Sequence, residues 1–156
     1  MRFEFLIDRR DAIPIIGRWY NEQWGRPHHN ETEEESIEGL SEYLNNDRMP
    51  FILVATEDDS ILASAQLKYR EMEEIYPEKE HWLGGVFVAP SHRGRGLGSR
   101  LANEIAGRAP DYGVETLYLQ TEQLDGGLYR RLGWRPIEQV NNHGLEVLVM
   151  ERAVGV

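Results

Sequence analysis

Along this chain the spacing of apolar residues alternates between the period of a strand and that of a helix. At residues 2–7, Phe3, Phe5 and Ile7 alternate with polar neighbours, which predicts a short strand. Ile16, Trp19, Tyr20 and Trp24 then follow helical spacing, so a helix is expected from Ala12 to Trp24. Asp11 is its N-cap candidate, Pro14 sits in its first turn, and Gly25 and Pro27 end it. Thr32 and Glu35 form a capping-box pair that opens a second helix with Ile37, Leu40 and Leu44 on its buried side. Phe51–Thr56 and Ile61–Tyr69 read as a hairpin turning at Glu57–Ser60. Residues 71–80, acidic around Pro77, are expected to be a solvated loop. Leu83–Val88 is a continuous apolar run, the mark of a strand covered on both faces. A helix over 96–108, a strand over 114–121, a short helix over 125–132 and a closing hairpin of 134–140 with 145–151 complete the order.

This order predicts an α/β (α+β) fold. Its sheet is mixed, mostly antiparallel and of about seven strands, with helices on both faces. The chain has 156 residues, 40% hydrophobic and 28% charged, which fits one domain over 1–156 with a sizeable core. No apolar run reaches the length of a membrane span, and the first eight residues carry acids where a signal peptide needs apolar side chains, so no targeting segment or membrane partner is expected. The formal net charge of −10 disfavours nucleic acid as a partner. With 0 cysteines there is no disulfide, no thiolate metal site and no acyl-thiol enzyme intermediate. No convincing metal-ligand set is seen; His28-His29 reads as loop. A cytoplasmic location is the expectation.

The segment Val86-Phe87-Val88-Ala89-Pro90-Ser91-His92-Arg93-Gly94-Arg95-Gly96-Leu97-Gly98-Ser99 carries the chemistry. A buried strand runs through a glycine-rich turn directly into a helix. Backbone N–H groups at such a junction lack partners, and the helix dipole points its positive end the same way. That is a site for a phosphate or diphosphate. Arg93, Arg95 and Arg100 add positive charge in a protein of net negative charge. The Lys-Ser/Thr ending of a nucleotide-binding P-loop is missing, and a dinucleotide fingerprint starting at Gly94 and Gly96 would place its third glycine at Ser99.

What does fit is Arg93-x-x-Gly96-x-Gly98, which resembles the acyl-CoA diphosphate loop of the GNAT superfamily of N-acetyltransferases, where it joins the fourth strand to the third helix. Leu128-Tyr129-Arg130-Arg131-Leu132-Gly133-Trp134 is similar to the family's Tyr-x-x-Leu-Gly-Phe segment after the fifth strand. The resemblance covers nearly the whole chain. It implies acetyl transfer from acetyl-CoA, the co-substrate, to a primary amine by direct attack in a ternary complex. The acid excess points toward a small cationic molecule as acceptor.

By the same resemblance, strands four and five splay around the pantetheine arm. The backbone of Val86 and Val88 pairs with that arm, Phe87 is counted with them as cofactor-binding, and the N–H of Val86 or a near neighbour meets the thioester oxygen. Arg93, Gly94, Arg95, Gly96, Leu97, Gly98 and Ser99 hold the diphosphate, and Tyr129 meets the departing sulfur. The strand-four glutamate that some relatives use as base falls here at Trp82, which cannot serve. His81 beside it and Glu122 after strand five are the substitutes considered, alongside a water chain. The acceptor site is expected across the sheet, from the first two helices and the strand-three to strand-four region. Trp19, Tyr20 and Trp24 stand near it, with Glu31, Glu33, Glu34 and Glu35 as possible attractors of a cation. A homodimer is a family-level expectation. The competing readings are a non-catalytic acyl-CoA sensor and a nucleotide-binding domain.

Overall fold

The computed structural model describes residues 1–155. Seven strands form one sheet: β1 (Arg2–Phe5), β2 (Phe51–Glu57), β3 (Ser60–Tyr69), β4 (His81–Val88), β5 (Thr116–Thr121), β6 (Arg135–Asn142) and β7 (Leu145–Ala153). Their order across the sheet is β1-β2-β3-β4-β5-β7-β6. Every neighbouring pair is antiparallel except β4 and β5. The helices are α1 (Ile13–Tyr20), α2 (Arg26–His29), α3 (Glu33–Glu38), α4 (Leu97–Arg108) and α5 (Gly127–Arg131). No helix among the described residues is long and apolar enough to cross a membrane.

The predicted mixed sheet with helices on both faces is what forms. On one face α4 lays Leu97, Leu101, Ala102 and Ile105 against Leu53, Leu67, Leu83 and Leu117. On the other, α1 and the turns around it pack Leu6, Ile16, Tyr20 and Leu40 against Ile52 and Val54. The buried faces of β2 and β3 belong to both clusters, which is why these strands are apolar almost throughout.

Three local expectations are corrected. The first strand stops at Phe5, and Ile7 lies in a 3₁₀ turn over Leu6–Asp8. Asp11 does not cap α1; its carboxylate takes the Arg9 guanidinium, 3.0 Å at both oxygens. The helix does not stop at Gly25 either. A π-helical turn over Asn21–Gly25 carries it into α2, with Gly25 at φ −63° and Pro27 in the first turn of α2, where its missing N–H costs nothing. The path ends at Asn30, in the left-handed region. The Thr32–Glu35 capping box forms as the sequence predicts, with Glu35 N donating to Thr32 Oγ1 at 3.1 Å and Thr32 N to Glu35 at 3.0 Å.

The acidic stretch after β3 is the other departure. It is a loop, yet Met72 and Tyr76 are buried with Trp82 and Val149 in a third apolar cluster. Tyr76 donates its hydroxyl to Glu138 of β6. The loop is therefore tied down against the sheet instead of standing in solvent.

Candidate active site

β4 carries two distortions that build the site. Against β3, Ser64 faces Phe87 and Gln66 faces Gly84, so β4 spends one residue more than its partner over this stretch. That is a β-bulge at Gly85–Val86. Gly85 sits at φ +55°, and its carbonyl accepts hydrogen bonds from Tyr20 Oη and Ser64 Oγ, each at 3.2 Å. A side chain at Gly85 would place its Cβ 2.6 Å from the Gln66 amide, so glycine is required there for space as well as for dihedral. Against β5, β4 pairs only at Trp82↔Tyr118. β4 continues to Val88 on β3, and β5 continues to Thr121 on β7, so the two strands part toward their C-terminal ends.

Two clefts flank that end of β4. The first, about 290 Å³, lies between the loop into α4 and α5; its lining includes Val88, Arg93, Gly96, Gly98, Ser99 and Leu128. Gly94, Leu97 and Arg131 complete it. The second, about 360 Å³, lies on the opposite face and is lined by Gln23, Trp24, Val86, Phe87, Val88 and Arg93. Val88 and Arg93 stand at both, so the parted end of β4 is the wall between them.

The first cleft has the chemistry of an anion site. From Gly94 to Ser99 no backbone N–H finds an acceptor among the described residues; the flanking bonds are Arg93 N to Pro90 O and Arg100 N to Gly96 O. Gly96, at φ +76°, is the hinge that swings these amides into the first turn of α4. Free donors at a helix start suit a diphosphate, so the residues present fit the group the sequence implied.

The arginines divide their work in a way the spacing did not show. Arg93 donates Nε to Val88 O at 3.0 Å and lies over the Phe87 ring at 5.4 Å, which holds the guanidinium between the clefts. Arg95 turns to Glu57 at 3.9 Å, and Arg100 lies over Phe3 of β1. Arg131 of α5 takes a place on the cleft instead. Sequence reasoning missed it because only the fold brings α5 opposite the loop.

Tyr129 is on α5, packed edge-on against Trp134 with centroids 6.2 Å apart. Burial, and then the charge of Glu71, push its phenol up to about 12. Among the described residues no hydrogen bond occupies its hydroxyl, and the only solvent-sealed polar side-chain atom without a partner is Trp134 Nε1. The hydroxyl is thus protonated and free to donate. Its helix neighbours Leu128 and Arg131, not Tyr129 itself, line the first cleft.

Phe87, expected at the pantetheine arm, does not line the first cleft. Its side chain faces the second one, stacked on Trp19 at 5.0 Å and edge-on to Trp24 at 6.4 Å. Tyr20 is buried in the core, whereas Trp24 reaches the cleft wall. His81 and Glu122 are not brought to either cleft. His81 begins β4, opposite Tyr69 and 3.5 Å from Glu80, a full strand away from Val86. Glu122 is exposed in the bend after β5. Glu31, Glu33, Glu34 and Glu35 surround the start of α3 and do not line the second cleft.

A carboxylate that the sequence reading left in solvent packs on β4, although it lines neither cleft. Glu71 lies over β4, with Oε1 2.8 Å from the point where a Cβ on Gly84 would stand. Lys68 Nζ is 3.7 Å from it, and both side chains are less than a quarter exposed. The Met72 and Tyr76 spacing, i and i+4 within the acidic stretch, is the signal that this loop packs on the sheet.

Comparison with known proteins gives the same architecture. Residues 13–134 match the acetyltransferase (GNAT) family. Aminoglycoside 6′-acetyltransferase type Ii superposes with a TM-score of 0.75 at 18% identity, over 99% of this chain and 97% of that one. The Salmonella typhimurium protein YncA, determined with its cofactor acetyl-CoA, gives 0.74 at 17% identity over 100% and 95%. Ribosomal-protein-alanine N-acetyltransferase from Brucella melitensis gives 0.76 at 18% identity over 98% and 99%. At these identities the likeness is one of fold. No curated protein matches the chain by sequence.

Proposed function

The chain belongs to the acetyltransferase (GNAT) family, and from that premise we propose that residues 1–156 act as one N-acetyltransferase domain, using acetyl-CoA to acetylate a primary amine of a small molecule. The observation that carries this is the run of unpartnered amides from Gly94 to Ser99 beside the gap between β4 and β5.

In this reading the amides of Gly94–Ser99, with Arg93 and Arg131 at the rim, hold the diphosphate of coenzyme A. Val86 and Val88 give their backbone to the pantetheine arm. Acetyl-CoA supplies a thioester whose carbonyl carbon accepts a nitrogen nucleophile. The bulge at Gly85–Val86 leaves strand N–H groups free of the regular ladder, and the Val86 N–H is the donor for the carbonyl oxygen as it gains charge. Tyr129 donates its O–H to the sulfur that departs. With its own pKa near 12 and a thiol near about 8.5, complete transfer of the phenolic proton is uphill, so its contribution is a hydrogen bond to the developing thiolate.

The acceptor enters through the second cleft, on the face opposite α4. The Trp24 ring supplies an aromatic wall suited to an ammonium and to an apolar body behind it. The test is release of free CoA thiol from acetyl-CoA over a panel of amines that includes polyamines, aminoglycosides and amino acids. Amine-dependent thiol release is expected. Binding of CoA without turnover on any amine would overturn the enzymatic reading in favour of an acyl-CoA sensor.

A further inference from the structure

This inference rests on the acetyl-transfer reading above and concerns the proton that a primary ammonium must lose before its nitrogen can attack. Neither His81 nor Glu122 lies at the site, and Trp82 stands where a strand glutamate would be. The loop after β3 brings a carboxylate to the same stretch from outside the strand. Met72 and Tyr76 anchor the loop by packing on Trp82 and Val149. That docking lays the Glu71 carboxylate across Gly84, which has no side chain to block it on this face.

The side of the sheet is the correct one. Leu83, Val86 and Val88 pack toward α4, whereas Trp82 and Phe87 pack on the opposite face, toward the loop and α1. Glu71 meets Gly84 on that opposite face; it lines neither cleft itself, but Val86 and Phe87, two and three residues further along β4, line the second. Gly84 precedes Val86 by two residues, about 7 Å along a strand. The field of Glu71 reaches Tyr129 across the parted strands, adding to the effect of burial on that phenol. Lys68 from β3 pairs with Glu71, and the charge of Glu71 also raises the phenols of Tyr43, in the turn after α3, and Tyr129, on α5. Both phenols are held protonated, Tyr43 chiefly by burial, so Lys68 is the one cation among them.

We propose that Glu71 is the general base, receiving the acceptor ammonium on the face opposite α4 and taking its proton. The carboxylate takes one proton from R–NH3⁺. The freed lone pair forms the C–N bond as the C–S bond breaks. The sulfur takes the proton that the nitrogen then sheds, and Glu71 returns its own proton to solvent. The sum is amide, free thiol and one proton released.

The test is steady-state kinetics of Glu71→Gln with the best amine of the panel, beside Lys68→Met. Glu71→Gln is expected to lower kcat by about 10²-fold, the scale of a lost general base. Its KM for acetyl-CoA stays within about threefold, and its thermal unfolding is unchanged. Its rate recovers as pH rises toward the amine's own pKa, because the acceptor then arrives already deprotonated. Lys68→Met keeps near wild-type turnover. Wild-type turnover in Glu71→Gln, or an equal loss in Lys68→Met with no recovery at high pH, would reduce Glu71 to a structural ion-pair partner and overturn the proposal while leaving acetyl transfer intact. No amine-dependent thiol release from the unaltered protein would overturn both readings.

Discussion

Gly85 shows how one residue can set a site. Its positive φ creates the bulge, its carbonyl is claimed by Tyr20 and Ser64, and the buried Gln66 side chain fills the space a methyl would need. Gly85→Ala combines left-handed strain with a Cβ only 2.6 Å from the side chain of Gln66, a residue 7% exposed, so it is expected to cost about 2–4 kcal/mol in urea unfolding. Tyr129 makes the complementary prediction. Tyr129→Phe keeps the packing on Trp134 and removes only the hydroxyl. It is expected to lower kcat about 10²-fold with little change in the KM for acetyl-CoA, read by the thiol-release assay. Features set by adjacent residues were legible in the sequence: the glycine-rich turn into α4 and the short helix carrying Tyr129 both form where the local pattern put them. The packing of Glu71 on β4 was not legible. Its position depends on Met72 and Tyr76 docking on Trp82, and a run of acids conceals that docking.

At the scale of elements, the chain's own punctuation was a good guide to strands and a poorer one to helix ends. Strands were found because alternation and apolar runs follow directly from which faces are buried. Gly25 and Pro27 misled because glycine can keep helical dihedrals when packing supplies the stability, and proline fits a first turn. The start of α4 is where element geometry becomes chemistry. A Cβ on Gly96 would meet nothing within 4 Å, so Gly96→Ala introduces no clash, only the cost of a left-handed residue. That cost is about 1 kcal/mol of stability. Relief of that strain turns the amides of the first turn away, so CoA affinity by calorimetry is expected to fall about tenfold, about 1.4 kcal/mol. Affinity equal to wild type would show that those amides do not hold the ligand.

At the scale of the whole molecule, the sheet is the instrument that places chemistry on two sides of one strand. The mixed topology was predictable from element order, but the parting of β4 from β5 was not. It depends on a register that leaves Trp82↔Tyr118 as their sole pair. Global stability carries its own pH signature. The phenols of Tyr20, Tyr43, Tyr76 and Tyr129 are all raised, with burial the first cause in each. A raised phenol stabilises the fold fully below its unfolded value near 10.0 and loses that contribution as pH climbs through its folded value, about 12 for Tyr129. Unfolding free energy is therefore expected to fall steadily above pH ~10, measured by urea titrations along an alkaline series. A flat profile across that range would show that these phenols are not shielded from solvent.

A crystal structure determined with coenzyme A is the most direct trial of the central claim. The diphosphate is expected on the backbone amides of Gly94–Ser99 and the pantetheine arm in the gap between β4 and β5, its sulfur end directed at the Tyr129 hydroxyl. Coenzyme A bound elsewhere, or a gap closed by the protein's own side chains with those amides still unoccupied, would contradict it.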